Sequence, residues 1–174
     1  MWRSPYNLEM LTQLFLLGGT SYGLLPSISP IMVAGYQDAP RVLMIAMVLG
    51  MWSDPLARLL TGFVKSFAFW ALTPPAGVCA VVLVICAAMA PMPPLHDLRC
   101  GGALPVVAYT IYMGLSGFIV TMSFLALRRQ NAPAGAAAAE AAYRWGGSAI
   151  QAGAFVGTTV SFLLVVVTGV FYTG

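Results

Sequence analysis

Charge is what this sequence has least of. Its 174 residues include 8 Lys or Arg and 5 Asp or Glu, so 7% are charged, against about 25% in typical soluble domains. A soluble chain of this size cannot cover its surface with so few charges, and the hydrophobic effect drives such a surface into aggregates or a bilayer. The net charge is only +3 and the basic residues form no run, which argues against a nucleic-acid partner. Cysteine is scarce too. Cys79, Cys86 and Cys100 have no zinc-ligand spacing, and the first two sit seven apart in an apolar run, where cysteine acts as a small hydrophobe. The single histidine, His96, lies in the Pro-rich stretch Pro91 to Cys100 with no second ligand or acidic cluster near it in sequence. No metal site and no cofactor are expected. No Ser/His/Asp or Cys/His arrangement is placed for catalysis, so an enzyme is not expected either. Met1 to Met10 holds Arg3 and Glu9 and shows no signal-peptide pattern, so the first apolar stretch is expected to double as the insertion signal.

What is abundant is apolar sequence, 60% of the chain. A spanning helix needs ~20 mostly apolar residues, and five stretches qualify: Leu8 to Ile28, Val42 to Val64, Phe69 to Ala90, Leu104 to Leu127 and Tyr143 to Tyr172. The fold class is therefore an all-α integral membrane protein, a bundle of about five transmembrane helices. It reads as one membrane domain over residues 1–174, with membrane lipid as its surroundings. Short connections join the stretches, and the fourth, Arg128 to Ala142, contains an Ala-rich segment that reads as a surface helix or a loose loop.

An odd number of spans puts the termini on opposite sides. Arg3, Lys65, Arg128, Arg129 and Arg144 collect on the N-terminal side, with Arg58 at a helix end, whereas Arg41 and Arg99 lie on the other. The positive-inside bias then places Met1 in the cytoplasm and Gly174 outside.

Polar and helix-breaking residues inside the spans are the candidates for function. In the first span, Gly19, Gly23 and Ser27 lie four apart and form a strip along which another helix can approach closely. Pro26 lacks an amide hydrogen, which leaves the carbonyl of Tyr22 without its usual partner. Such a break either packs on protein or lines a wet cavity. In the second span, Asp54 and Arg58 are spaced to pair on one helical face, flanking Pro55. Two readings stay open: a gating or ion-coupling carboxylate, or a structural ion pair with Arg58 reaching toward the headgroups. Val78 to Ala90 is apolar on every face, which suggests the lipid-facing periphery. Thr110, Gly114, Gly117 and Thr121 form one stripe of the fourth span, most simply a packing face, and Gly153, Gly157 and Ser161 repeat the small-residue spacing in the fifth. Gln151 is either interhelical glue or a solute ligand.

These residues bring a family into view. Tyr22-Gly23-Leu24-Leu25-Pro26-Ser27 resembles the N-G-x-L-P-S pattern that opens the second half of animal-type riboflavin transporters. Met51-Trp52-Ser53-Asp54-Pro55-Leu56-Ala57 is similar to that family's M-x-N-P-x-A segment, Leu127-Arg128 to its L-R, and Trp145-Gly146-Gly147-Ser148-Ala149-Ile150-Gln151-Ala152-Gly153 to its W-C-G-A-A-V-Q-x-G. The four motifs are collinear over nearly the whole chain. Tyr22 and Asp54 stand where the family has Asn, and Ser29 to Arg41 contains no cysteine, which leaves Cys100 without the family's external-loop partner.

The resemblance implies the C-terminal half, helices seven to eleven, of an eleven-helix carrier of the plasma membrane. Its orientation agrees with the charge count. Riboflavin is then the expected solute, held near the midplane between two helical halves. Ser21, Tyr22 and Ser27 at the broken helix, with Gln151 opposite, are the expected binding residues. Tyr22 would stack on the flavin, while Ser21 and Gln151 would hydrogen-bond its polar edge or ribityl hydroxyls. The partner is either a missing N-terminal helical half or a second copy. Rival readings are a nucleoside-type carrier, which shares the eleven-helix plan, and a scaffold whose glycine strips only pack helices. Alone, the chain is expected to leave its two glycine strips facing lipid or a makeshift partner.

Overall fold

In hydrocarbon a backbone must satisfy its own hydrogen bonds, so a chain this apolar has helix or closed barrel to choose from. The computed structural model takes the first option. It describes residues 5–64, 69–90, 92–98 and 100–167, with no strand among them. Arg3, Lys65 and Arg99, which contribute to the orientation argument, lie outside the described residues, as does the end of the last expected span up to Tyr172. The elements are α1 (Pro5–Gly18), a π-helical segment (Gly19–Leu24), α2 (Leu25–Val33), α3 (Ala39–Leu60), α4 (Thr73–Ala88), α5 (Ala103–Asn131) and α6 (Ala136–Phe162). Short 3₁₀ turns extend or join several of them, and a second π segment, Leu163–Val167, follows α6.

Four runs among the described residues are long and apolar enough to cross a membrane: Asn7–Val33, Ala39–Phe63, Ala103–Ala134 and Ala136–Val166. The third expected span is shorter: α4 has 16 residues, preceded by a 3₁₀ turn at Phe69–Leu72. The connection expected at Arg128 to Ala142 is almost all helix. α5 continues to Asn131, and after a 3₁₀ turn and Gly135, whose φ of 105° suits only glycine, α6 begins at Ala136. Alanine is the best helix former, so an Ala-rich stretch next to a spanning helix extends it.

α1, the π segment and α2 form one helical run through Pro26 and Pro30. Pro30 cannot bond the carbonyl of Pro26, and the Ser29 hydroxyl takes that role, donating to Pro26 O at 2.8 Å. Ser27 likewise donates to Gly23 O at 2.8 Å. The break read from Pro26 is thus a change of helical pitch, with the Leu25 amide bonded five residues back to Thr20 O.

α3 packs along α5, α4 lies against α2 and α5, and α6 lies along α1 and the π segment. α4 is not wholly peripheral: Leu83, Cys86 and Ala87 are fully buried while Val78 and Val81 face outward. A uniformly apolar helix has no pattern to reveal its buried side, so only its neighbours decide it.

The glycine strips expected to face lipid or a makeshift partner meet each other. A Cβ at Gly23 would collide with Gly157 and the amide of Thr158, one at Gly157 with Gly19 O, and one at Gly153 with Phe15 O. Ser161 is buried as well. The chain therefore supplies both sides of its own small-residue contact. The stripe on α5 packs against α3, where Gly114 faces Ser53 and Gly117 faces Asp54, and Ser53 donates to Thr110 O at 2.9 Å.

Buried polar groups stitch the first helical run to its neighbours. Gln13 Nε2 donates to Thr73 Oγ1 at 2.8 Å, and Asn131 Nδ2 reaches Leu127 O at 2.8 Å and Asn7 Oδ1 at 3.4 Å. Outside the spans, Tyr36 is buried and donates to Pro94 O at 2.8 Å, tying the α2–α3 turn to the loop after α4. Burial, with a contact to Cys86, pushes its phenol well above the usual tyrosine range.

Candidate functional site

A polar site inside the membrane can form where a helix gives up regular geometry, because there backbone and side-chain polar groups are aimed sideways. In this chain two described segments do so, the wholly apolar Leu163–Val167 and Gly19–Leu24, and the second carries the polar side chains. Two glycines in the segment, Gly19 and Gly23, let α6 approach, and the residues between them project polar side chains in two directions.

The inward direction is taken by Ser21, which is buried, together with Thr20. Ser21 Oγ lies 2.9 Å, and Thr20 Oγ1 2.5 Å, from the hydroxyl of Tyr112 on α5. Ser21 was expected to touch solute; its hydroxyl is instead turned into the bundle. A π turn shifts which side of the helix each residue occupies relative to a regular helix. Tyr112 itself went unmarked in the sequence, since an aromatic in an apolar span carries no signal of its hydroxyl's partner.

The outward direction is taken by Tyr22, whose ring is half exposed. Its hydroxyl accepts from Arg58 Nη2 at 3.2 Å. Arg58 Nε in turn bridges both carboxylate oxygens of Asp54, at 3.1 and 3.0 Å. The spacing read from the sequence thus forms an ion pair, and the structure extends it into a chain Asp54–Arg58–Tyr22 that joins α3 to the π segment. Asp54 sits against Gly117, so its carboxylate has α5 at its back.

Ser27 is exposed, with its hydrogen committed to Gly23 O. Gln151 is exposed near the middle of the Ala136–Val166 span. No hydrogen bond joins Gln151 to Ser21, Tyr22 or Ser27 among the described residues. The structure therefore brings Tyr22, Asp54 and Arg58 together, turns Ser21 away, and leaves Ser27 and Gln151 as separate polar groups on outward faces.

Two open clefts lie elsewhere. One of about 400 Å³ is lined by Arg128, Ala136, Ala139, Glu140 and Tyr143. Another of about 350 Å³ includes Gln37, Asp38, Arg41, Leu98 and Cys100. Neither includes the residues above. Among the described residues no three His, Cys, Asp or Glu side chains gather closely enough to hold a metal ion.

The model of solute carrier family 52, riboflavin transporter, matches residues 2–173. The chain belongs to this riboflavin transporter family. It is 26% identical over 179 residues to solute carrier family 52, riboflavin transporter, member 3 of Osmerus mordax, covering 99% of this chain and 41% of that protein. It is 32% identical over 88 residues to member 3-A of Danio rerio, covering 51% of this chain and 18% of that relative. The chain thus spans about two fifths of the length of the first of these relatives. No solved structure matches it. As a member of a solute-carrier family with several membrane-crossing helices, the chain is a multi-pass membrane protein, and the family is one of transporters rather than enzymes.

Proposed function

We propose that this chain forms one wall of a riboflavin carrier in the plasma membrane, corresponding to its C-terminal half. Met1 is then cytoplasmic and Gly174 external. The observation that carries the reading is the set of polar groups left on outward faces near mid-span. Gln151 presents an amide with two donors and an acceptor, amid exposed Phe155 and Val156. An amide facing hydrocarbon without a partner is costly by several kcal/mol, whereas one facing a solute path or another helical half is not. Tyr22 and Ser27 are exposed as well, with their hydroxyls already bonded to Arg58 and to Gly23 O. The family to which the chain belongs supplies the identity of the solute.

In this reading Tyr22 stacks on the flat flavin ring, and Gln151 hydrogen-bonds its polar edge or the ribityl hydroxyls. Ser27 contributes its free oxygen lone pairs. Ser21 acts from behind, through Tyr112. Asp54 and Arg58 set the position of Tyr22 and close the cytoplasmic side of the path. The opposite wall comes from an N-terminal helical half or from a second copy.

Uptake of labelled riboflavin and of uridine tests the reading. A carrier that joins this chain to an N-terminal half should take up riboflavin saturably, and the 174 residues alone should insert and take up nothing. Preference for uridine would favour a nucleoside-type carrier, and uptake of neither by the joined protein would leave a packing scaffold. Saturable riboflavin uptake by the chain alone, with no homodimer formed, would sink the one-wall reading.

A further inference from the structure

We propose that Tyr112 is a positioning residue of the carrier: its hydroxyl holds the Gly19–Leu24 π segment in place and so seats Tyr22 against the Asp54–Arg58 pair. The proposal rests on the riboflavin reading only for what Tyr22 does, not for what Tyr112 holds.

Thr20 has one hydroxyl hydrogen, and it is directed to the carbonyls of Leu16 and Leu17, at 2.9 and 3.3 Å. The Thr20 oxygen can then only accept from Tyr112. Tyr112 has one hydrogen as well, spent on Thr20, so at Ser21 it accepts. The result is a directed chain, Ser21 to Tyr112 to Thr20 to the carbonyls of the preceding turn. Tyr112 is 2% exposed, which shields its hydroxyl from solvent, and every member of the chain has a partner. A single phenol thereby grips two consecutive residues inside the π segment, one residue before Tyr22.

That grip matters because a π segment is an inserted residue that an α-helix can expel. Returning to α-helical pitch would rotate the residues within it progressively and the chain beyond it by about 100°. Such a turn carries Tyr22 off Arg58 and breaks the 3.2 Å bond that links the first helical run to α3. Thr20 and Ser21 would also leave Tyr112. The hydroxyl of Tyr112 therefore favours one of two pitches, and the orientation of Tyr22 follows from which one is held.

The test uses the joined carrier in membranes and three variants: Tyr112→Phe, which keeps the ring and removes the hydroxyl, and, from the other side of the contact, Ser21→Ala and Thr20→Val. The first readout is amide hydrogen exchange across residues 19–25. Exchange should quicken there in Tyr112→Phe while residues 78–88 of α4 stay unchanged. The second is riboflavin KM against maximal rate. KM should rise about fivefold, the worth of one lost hydrogen bond, with little change in maximal rate per molecule at the surface. Adding Tyr22→Phe to Tyr112→Phe should raise KM by less than the product of the two single effects. If Tyr112→Phe does not reach the membrane, Ser21→Ala must show the same exchange and KM pattern. Unchanged exchange at 19–25 overturns the proposal, as does faster exchange with an unaltered KM. If the unsubstituted carrier moves no riboflavin, the functional reading fails separately. The reactivity of Tyr22→Cys toward a thiol reagent then decides: greater reactivity in the Tyr112→Phe background supports the positioning role, and equal reactivity overturns it.

Discussion

Tyr22 and Arg58 are 36 residues apart in the chain and meet through one hydrogen bond, guanidinium to phenol oxygen, at 3.2 Å. That bond connects an irregular helical segment to a charged pair on another helix. It means that a change of pitch at Gly19–Leu24 and a change in the ion pair cannot be independent of each other.

Breaking the pair from one side should cost more than removing it whole. Asp54→Asn leaves Arg58 without its carboxylate inside the span, while Asp54→Asn with Arg58→Gln leaves no charge at all. We expect the double variant to recover part of the single variant's loss, a coupling of about 0.5–3 kcal/mol. Thermal unfolding in detergent micelles reads it. Simple additivity of the two changes would show that the pair contributes nothing as a unit.

The glycines differ sharply in what surrounds them. Gly23→Ala and Gly157→Ala push a methyl into backbone of the facing helix and should destabilise by about 1–3 kcal/mol. Gly147→Ala, in α6 with nothing within 4 Å, should be neutral or slightly stabilising, since alanine is the better helix former. Equal melting temperatures for all three would contradict the contact of the π segment with α6.

Substituting Tyr22→Ala or Gln151→Ala in the joined carrier should lower riboflavin affinity several-fold at unchanged surface expression, about 0.5–1.5 kcal/mol for the hydrogen bond lost with Gln151 and about as much for the stacking lost with Tyr22. If both variants transport normally, these side chains serve packing alone.

Topology is open to thiol labelling. Cys100 is an exposed free cysteine and should react with an impermeant reagent applied to intact cells. Ala134→Cys, at the exposed turn between α5 and α6, should react only after permeabilisation. Asn131 would be a poor reporter there, since it is buried and bonded to Leu127 O. The reverse labelling pattern would invert the proposed orientation.

Alkaline stability should depend on Tyr36. Its folded phenol holds its proton more tightly than an unfolded tyrosine, which titrates near pH 10. Below that pH both states are protonated and the full stabilisation is present. As pH climbs past about 10, the unfolded state releases its proton first, and stability falls. Tyr36→Phe should therefore melt somewhat lower at neutral pH, having lost the bond to Pro94 O, yet lose less on going to pH 11. A parallel alkaline loss in both proteins would remove Tyr36 as the cause.

The amino-acid sequence by itself determined the membrane class, because 7% charge leaves no other solvent for the chain. It also determined what lies on one face of one helix: the Asp54–Arg58 pair, and the glycine spacings on the first, fourth and fifth apolar stretches. Periodicity carries that much because a single helix has a known pitch. Partner choice has no such local code. That Gly19 and Gly23 meet Gly153 and Gly157, that α4 buries Leu83 and Cys86, and that Arg58 reaches Tyr22 were decided by tertiary structure, where contacts join residues far apart in the chain. The same holds most strongly for Ser21. The resemblance put its hydroxyl toward a solute, and only the position of Tyr112 on α5 shows which partner inside the bundle that hydroxyl takes.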